Sequence, residues 1–517
     1  MTTLPRTRDR SREFDIVLWG ATGFTGRLVA DYLVRNYLGG ESGLRLALAG
    51  RNKEKLEDVA NEVGALQLPI LIGDSFDADS LDAIASKTEV LITTVGPYSK
   101  YGAEIVAACV RNGTDYCDLT GEPHFVRAMI DAHHEEAKKT GARIVNCCGY
   151  DSIPSDLGTL MVQEAFRQRH GRYASEVKMA AGEMSGGPSG GTIATMMNVA
   201  DELKENPSLR KVLGNPYGLN PKGVRGPDKS DQTGVRFDKD FDMWTGPFMM
   251  ATINTRIVRR SHALMVQEAF VERHGKYASE VKMAAGEMSG ALSGGTFASM
   301  LNIVDGLKEN PSLRKVFGDP YALNPKGVRG PDKRDQSGVR FDKDFDMWTG
   351  PFVMASINTR IVRRSHALMG LPWGEGFRYS EVMTTGRGAA GLSRAVSVAG
   401  GIAAFMAGIA FPITRHLLEK RLPSPGEGPS KEVRDRGFFK TRLIALGDGQ
   451  TVRGLVADQR DYGYGSTAVM LSEAALCLVF DDAQLPSEGG ILTPATAMGM
   501  RLVERLRKAG MTFEIKG

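Results

Sequence analysis

The sequence predicts an α/β fold that opens with a doubly wound parallel sheet, and three observations carry that reading. Short apolar runs alternate with helix-period segments from Phe14 to Gly149. The first run ends in a glycine-rich turn that leads directly into a helical pattern. Later runs end in polar loops at what becomes one common edge, where open α/β sheets hold their ligands.

The elements follow in order. FDIVLWG at Phe14 is a short apolar strand closed by glycine, and an amphipathic helix starts near Phe24. LRLALAGR at Leu44 is the second strand, followed by the helical KEKLEDVANEV at Lys53. PILIGD at Pro69 and SLDAIASK at Ser80 repeat the alternation, as do EVLITTVG at Glu89 and GAEIVAACVRNG at Gly102. TDYCDL at Thr114 and ARIVNCCG at Ala142 are further strands.

A chain of 517 residues suits two or more domains, and 42% hydrophobic with 24% charged residues is an ordinary globular composition. A formal charge of +4 without a long Lys/Arg run argues against nucleic acid as a partner. Cys109, Cys117, Cys147, Cys148 and Cys477 form no C-x-x-C. They read as small buried residues in a reducing compartment, not as a metal site. The N-terminus MTTLPRTRDRSREF lacks an apolar core, so a secretory signal is not expected. The expected location is cytoplasmic or peripheral to a membrane.

The first turn reads Gly20-Ala21-Thr22-Gly23-Phe24-Thr25-Gly26, a G-x-x-G-x-x-G spacing between strand and helix. In this context it is a dinucleotide turn of the Rossmann type. Gly20 permits the tight turn, Gly23 lets backbone N–H groups approach a pyrophosphate, and Gly26 allows close packing of helix on sheet. Thr22, Phe24 and Thr25 belong to the same cradle. At the end of the second strand an Asp or Glu would select the ribose 2′-hydroxyl of NAD; this chain has Arg51-Asn52 instead. The Arg51 guanidinium suits a 2′-phosphate, so NADPH is favoured; the plainer reading makes Arg51 a solvated turn residue.

Gly96 and Pro97, beyond the fourth strand, are expected to line the nicotinamide side. Tyr98, Tyr150 and Asp151 are the candidate proton donors or substrate holders. Each equally suits a turn or capping role, Asp151 most clearly because Ile-Pro follows it.

A repeat occupies the middle of the chain. Residues 160–263 recur at 264–367 with 86 identities in 104 positions, and both copies open with Leu-Met-Val. Two copies of this length fit a segmental duplication, not a solenoid. Copy one follows the N-terminal domain directly, and at most one copy can occupy the usual place. The other must bulge out, extend a sheet or exchange between chains.

Several phrases together resemble the saccharopine dehydrogenase-like oxidoreductases: FDIVLWGATGFTGRL, LALAGRNKEKL, VLITTVGPYSKYG, GTDYCDLTGE, GYDSIPSDLG, DMWTGPF, INTRIVRRSHAL, FRYSEVM, GPSKEVRDRGFF and GGILTPATAMG. The chain looks closest to the bacterial trans-acting enoyl reductases that serve lipid-making polyketide synthases. That resemblance implies a Rossmann domain over residues 1–152 and a second mixed α/β domain over 153–430 that carries both copies. It implies a C-terminal segment, 431–517, that packs back on the first domains, and a homodimer among the expected assemblies. It further implies NADPH at Gly20, Gly23, Gly26 and Arg51, with hydride passing to an acyl thioester substrate held by a partner synthase. The alternative is a non-catalytic, membrane- or lipid-associated nucleotide-binding protein of the same fold.

Ala395–Thr414 carries no charge over twenty positions, but Ser397, Gly400, Gly401, Gly408 and Pro412 weaken it as a span. The readings are a buried helix, peripheral membrane contact through 395–422, or a crossing helix. Leu422–Ser430 is a linker or exposed turn, and TAVMLSEAALCLVF and TAMGMRLVERLRKAG read as structural helices.

Overall fold

The computed structural model describes residues 12–150, 152–185, 388–410 and 430–516, apart from 41–42, 175, 448 and 487. Between them it describes short pieces: 219, 233–238, 243–245, 257–258, 261, 283–285, 339–342, 347–351, 381–383 and 385.

The N-terminal layers follow from the alternation. Strands β1 (Phe14–Trp19), β2 (Leu46–Gly50), β3 (Ile70–Ile72), β4 (Thr88–Thr93), β5 (Asp115–Asp118) and β6 (Arg143–Val145) alternate with helices. These are α1 (Phe24–Tyr37), α2 (Lys53–Glu62), α3 (Ala78–Ala85), α4 (Tyr98–Tyr101), α5 (Ala103–Arg111) and α6 (Pro123–Thr140). The sheet order is β16-β6-β5-β4-β1-β2-β3, where β16 is Gly490–Leu492, and every pairing is parallel. Order reverses between β1 and β4, which makes the crevice there the switch point of a doubly wound sheet.

Because side chains alternate along a strand, the sheet serves two cores. Ile16, Leu18, Leu46 and Leu48 join one apolar cluster with α1 and α2. Val17, Trp19, Ala47 and Leu91 join the other, with α3, α5 and α6.

Helix α7 (Ile153–His170) leads to a second sheet of order β17-β15-β14-β7, all antiparallel. Its strands are β7 (Glu176–Ser185), β14 (Phe438–Gly447), β15 (Gln450–Asp458) and β17 (Thr512–Lys516). Helix and sheet approach closely at two glycines, each of which receives a side chain of the other element. A Cβ on Gly158 would lie 3.0 Å from Leu443 Cδ2, and one on Gly454 would lie 2.5 Å from Val162 Cγ1.

The C-terminal segment returns to the first sheet. Besides β16 it supplies α9 (Lys431–Asp435), α10 (Gly465–Phe480) and α11 (Pro494–Lys508). Helix α10 is enclosed on all sides, since every residue from Ser466 to Val479 is buried. It lies between α1 and α11, and the buried Glu473 ties all three. Its carboxylate accepts Tyr32 Oη at 2.8 Å and Arg505 Nε at 2.9 Å.

Both repeats contribute strands. Copy one gives β8 (Thr233–Asp238) and β9 (Met243–Thr245), and copy two gives β10 (Met283–Ala285), β11 (Arg340–Asp342) and β12 (Met347–Pro351). The sheet they form has the order β11-β12-β8-β9. Helix α8 (Gly388–Ala410) packs on β12, β8 and β9, while β13 (Glu381–Met383) pairs with β10. Among the described residues only copy one reaches the main cores, through the latter part of α7, β7, Leu219, Ile257 and Val258. The uncharged stretch is therefore helical from Ala395 to Ala410; its remainder lies outside the described residues. No described helix is long and apolar enough to cross a membrane.

Candidate nucleotide-binding and active site

The glycine turn is bound to the switch point from both sides. Gly20 donates its N–H to Ala49 O at 3.0 Å, and Thr94 Oγ1 donates to Gly20 O at 3.0 Å. Gly20 has φ +87°, and a Cβ there would stand 2.4 Å from Val95 Cγ2, so conformation and space both demand glycine. At Gly26 a Cβ would lie 2.2 Å from Gly20 O and 2.9 Å from Ala21 Cα, which is the close helix–turn packing the spacing predicts.

Gly23 is different. It is the N-cap of α1 with φ −73°, and an added Cβ would meet only Gly20 O, at 3.4 Å. Neither backbone strain nor protein packing calls for glycine here. What remains is the open space in front of the α1 N-terminus, where unpaired amides and the helix dipole favour a phosphate. Gly23's own N–H donates to Gly20 O at 3.1 Å, so it shapes the cradle and does not face it.

Phe24 starts α1, and its ring packs edge-on against Tyr464 at 5.0 Å, with the Arg434 guanidinium 5.2 Å from the ring centre. Phe24 thus fastens the C-terminal segment over the turn. Sequence reasoning missed Tyr464 and Arg434, because some four hundred residues separate them from the turn they cover. Thr22 lies in the turn, where its carbonyl accepts Arg27 Nε at 3.3 Å, and Thr25 belongs to the first turn of α1.

At the end of β2, Asn52 caps α2 by accepting the Lys55 N–H at 2.8 Å. Its side chain is thereby committed to the helix, and Arg51 beside it is exposed at the same sheet edge.

On the other side of the crevice, Gly96-Pro97 is a cis peptide and leads into α4. Glu122 holds this loop: its two carboxylate oxygens accept the Tyr98 N–H at 2.8 Å and the Ser99 N–H at 2.9 Å. Burial pushes the Glu122 carboxyl up from its usual range, opposed by nearby His124 and by these donors. Behind it, buried Asp118 accepts from Thr120 N at 3.0 Å, Cys147 N at 2.8 Å, Asn146 Nδ2 at 2.6 Å and Tyr116 Oη at 3.0 Å. Burial lifts Asp118 to about 6, and the four donors restrain it. These bonds hold Cys147 at φ +66°, the one described non-glycine residue with positive φ. All five cysteines are buried and free.

The three candidate proton donors part company. Tyr98 is buried, its ring lies 5.9 Å from Phe125, and its hydroxyl donates to Thr93 O at 3.2 Å. Tyr150 is buried between Phe439 and Tyr462 at 4.7 and 4.9 Å, and its N–H donates to Thr467 Oγ1. Asp151 lies outside the described residues, and the N-cap position of α7 falls to Ser152.

A carboxyl that sequence reasoning passed over sits one turn into α7. Asp156 is fully buried, accepts the Ala495 N–H at 2.8 Å, and has the Ser261 hydroxyl of copy one beside it. Burial raises it to about 7.

Residues 16–145 match the saccharopine dehydrogenase NADP-binding domain. A protein of Mycobacterium tuberculosis H37Rv bearing the trans-acting enoyl reductase name is 35% identical over 511 residues, 97% of each chain. Trans-acting enoyl reductases of Mycobacterium bovis and Mycobacterium ulcerans are 33% and 32% identical over 516 residues, again 97% of each chain. Apo saccharopine dehydrogenase (L-Glu forming) from Saccharomyces cerevisiae aligns over 97% of this chain and 99% of its own, at TM-score 0.42 and 13% identity, and the assignment does not rest on it. The glycine cradle, the parallel sheet and the full-length relatives agree: the chain is an NADP-dependent oxidoreductase that belongs to the saccharopine dehydrogenase-like family, among the trans-acting enoyl reductases.

Proposed function

We propose that the protein reduces an enoyl double bond in an acyl thioester, carried by a polyketide synthase during lipid or glycolipid synthesis. The observation that carries this reading is the similarity over 97% of each chain to proteins named for that reaction; a side chain at Gly23 would meet nothing of the protein but Gly20 O, which supports a ligand there. Bound NADPH would supply hydride to the β-carbon of the enoyl group.

The chain's own residues have three tasks. The turn Gly20–Gly26 and Arg51 bind the two phosphate ends of the cofactor. Gly96 and Pro97, fixed through Glu122 and the Tyr98 and Ser99 amides, define where the nicotinamide end sits. A proton must also reach the α-carbon. Asp151 is the first residue to test for this role, because the Tyr98 hydroxyl already serves Thr93 and the Tyr150 ring is packed in an aromatic group.

The test is NADPH oxidation by the purified protein with a 2-enoyl thioester, with the acyl product followed by mass. A saturated thioester, formed one for one with NADP⁺, supports the reading. Tight NADPH binding without turnover of carrier-bound or free enoyl thioesters would leave the nucleotide-binding, non-catalytic alternative.

A further inference from the structure

We infer that this protein associates head to tail with further copies of itself, the outer edge of β11 in one chain pairing with the outer edge of β9 in the next. The starting point is the duplication. Arg236–Pro247 recurs without change as Arg340–Pro351. From these segments each copy builds one two-stranded hairpin, β8–β9 and β11–β12.

The hairpins do not stand apart. β8 pairs antiparallel with β12, placing Trp348 opposite Arg236, Thr349 opposite Val235 and Pro351 opposite Thr233. In repeat terms, the leading strand of one hairpin meets the trailing strand of the other. That contact is heterologous, and a heterologous contact between like units leaves the same two surfaces at the ends of the pair. Among the described residues the strand order ends in β11, a leading strand, and β9, a trailing strand.

The occupant is therefore specified by the fold itself. A β9 edge from a second chain presents to β11 the same sequence that β12 presents to β8. The same register places Trp244 of one chain opposite Arg340 of the next, and Thr245 opposite Val339. Helix α8 backs β12, β8 and β9 on one face, so added strands would extend a supported sheet. The edges resist indiscriminate pairing by being short: β11 and β9 are three residues each, and β11 carries Arg340 and Asp342. Association through so few residues is weak and rises with concentration.

The test places cysteines at paired positions in the full-length chain, whose own cysteines are buried. Directly opposed antiparallel residues have Cα atoms roughly 4.5–5.5 Å apart, within disulfide reach. The double variant Arg236→Cys/Trp348→Cys should close a disulfide within one chain. Chains with Trp244→Cys alone are then mixed with chains carrying Arg340→Cys alone. The mixture should give a disulfide-linked heterodimer in roughly tenfold excess over either variant by itself, and the yield should fall on dilution, because only unlike edges meet. If the intrachain bond forms while the mixture gives no heterodimer, the edges do not meet. If the intrachain bond also fails, the β8–β12 junction on which the inference stands is absent. Either result overturns it.

Discussion

Gly23 and Gly26 stand three residues apart, yet replacing each with alanine should damage different things. At Gly26 the new Cβ would arrive 2.2 Å from Gly20 O and 2.9 Å from Ala21 Cα, both backbone atoms that cannot rotate away. The turn must retreat by about 1 Å, and overpacking of that kind costs about 1–3 kcal/mol. For a domain of this size that lowers the melting temperature by roughly 2–12 °C, without any ligand present. At Gly23 the Cβ meets only Gly20 O, at 3.4 Å, from an ordinary φ of −73°. Gly23→Ala should leave the ligand-free melting temperature within roughly 2 °C. It should instead obstruct the phosphate: losing a charge-assisted hydrogen bond costs about 1.5–3 kcal/mol, roughly 10- to 150-fold in NADPH affinity. Thermal unfolding with and without NADPH reads both effects. At one hundred times its dissociation constant NADPH stabilises the parent by about 2.7 kcal/mol, and a tenfold weaker variant keeps about 1.4 at that concentration. A Gly23→Ala protein that melts as early as Gly26→Ala, or that binds NADPH as the parent does, would refute the assignment of that opening to the cofactor.

Arg51→Ala should weaken NADPH by roughly tenfold or more and leave NADH affinity unchanged, since only the 2′-phosphate is lost as a partner; comparative titrations check it. Glu122→Gln replaces one of two acceptor oxygens by a donor facing a backbone N–H. About 1–3 kcal/mol of stability should go, with a raised KM for NADPH as the Gly96–Tyr98 loop loosens. Asp156, raised to about 7, holds its proton in the folded state across a window where the unfolded chain, near the ordinary 3.8, has released it. The folded state therefore binds more protons between these values, and stability falls as pH rises from about 4 to 7, then levels. Asp156→Asn should flatten that slope and melt higher than the parent at pH 8; an unchanged pH profile would count against the burial of an ionisable Asp156. Deleting residues 264–367 should preserve NADPH-induced stabilisation, because Leu219, Ile257, Val258 and Ser261 of copy one supply the buried contacts; loss of cooperative unfolding would show that copy two is needed.

The N-terminal sheet was legible because each of its elements declares itself locally. A run such as FDIVLW is apolar throughout because a parallel strand is buried on both faces, and a glycine at its end marks the turn. The cradle could be read for the same reason: three glycines lie within seven residues, Gly20 and Gly26 each with a steric cause and Gly23 with none inside the protein. The β14–β15 hairpin carried a readable signal that was passed over. The dipeptide Asp448-Gly449 between alternating runs is a hairpin signal in the sequence, and Gly447 pairs directly with Gln450. Other features leave no local trace. β16 joins β6 across more than three hundred residues, and GGIL has neither length nor alternation to announce a strand. The partners of Tyr98, Tyr150 and Asp118 are likewise set by tertiary packing, so their residue types offered chemistry while the structure gave all three structural work.

The duplication marks where local reading must stop. Two segments with 86 identities in 104 positions have nearly the same propensities and periodicity, so nothing internal to them can assign one to the core. The difference is in the connections. Copy one begins within α7, whose buried face is already seated on β14 and β15, and β7 follows it directly onto the edge of that sheet. With that edge taken by residues Glu176–Ser185, the matching segment of copy two cannot pair there, and its strand Met283–Ala285 pairs with Glu381–Met383 instead. Further along, copy two no longer competes with copy one but adds to it, because an antiparallel hairpin always presents an edge that another hairpin of the same sequence can meet. One repeated segment thus reaches two outcomes, replacement being barred where the site is a single sheet edge and extension being open where the site is a hairpin.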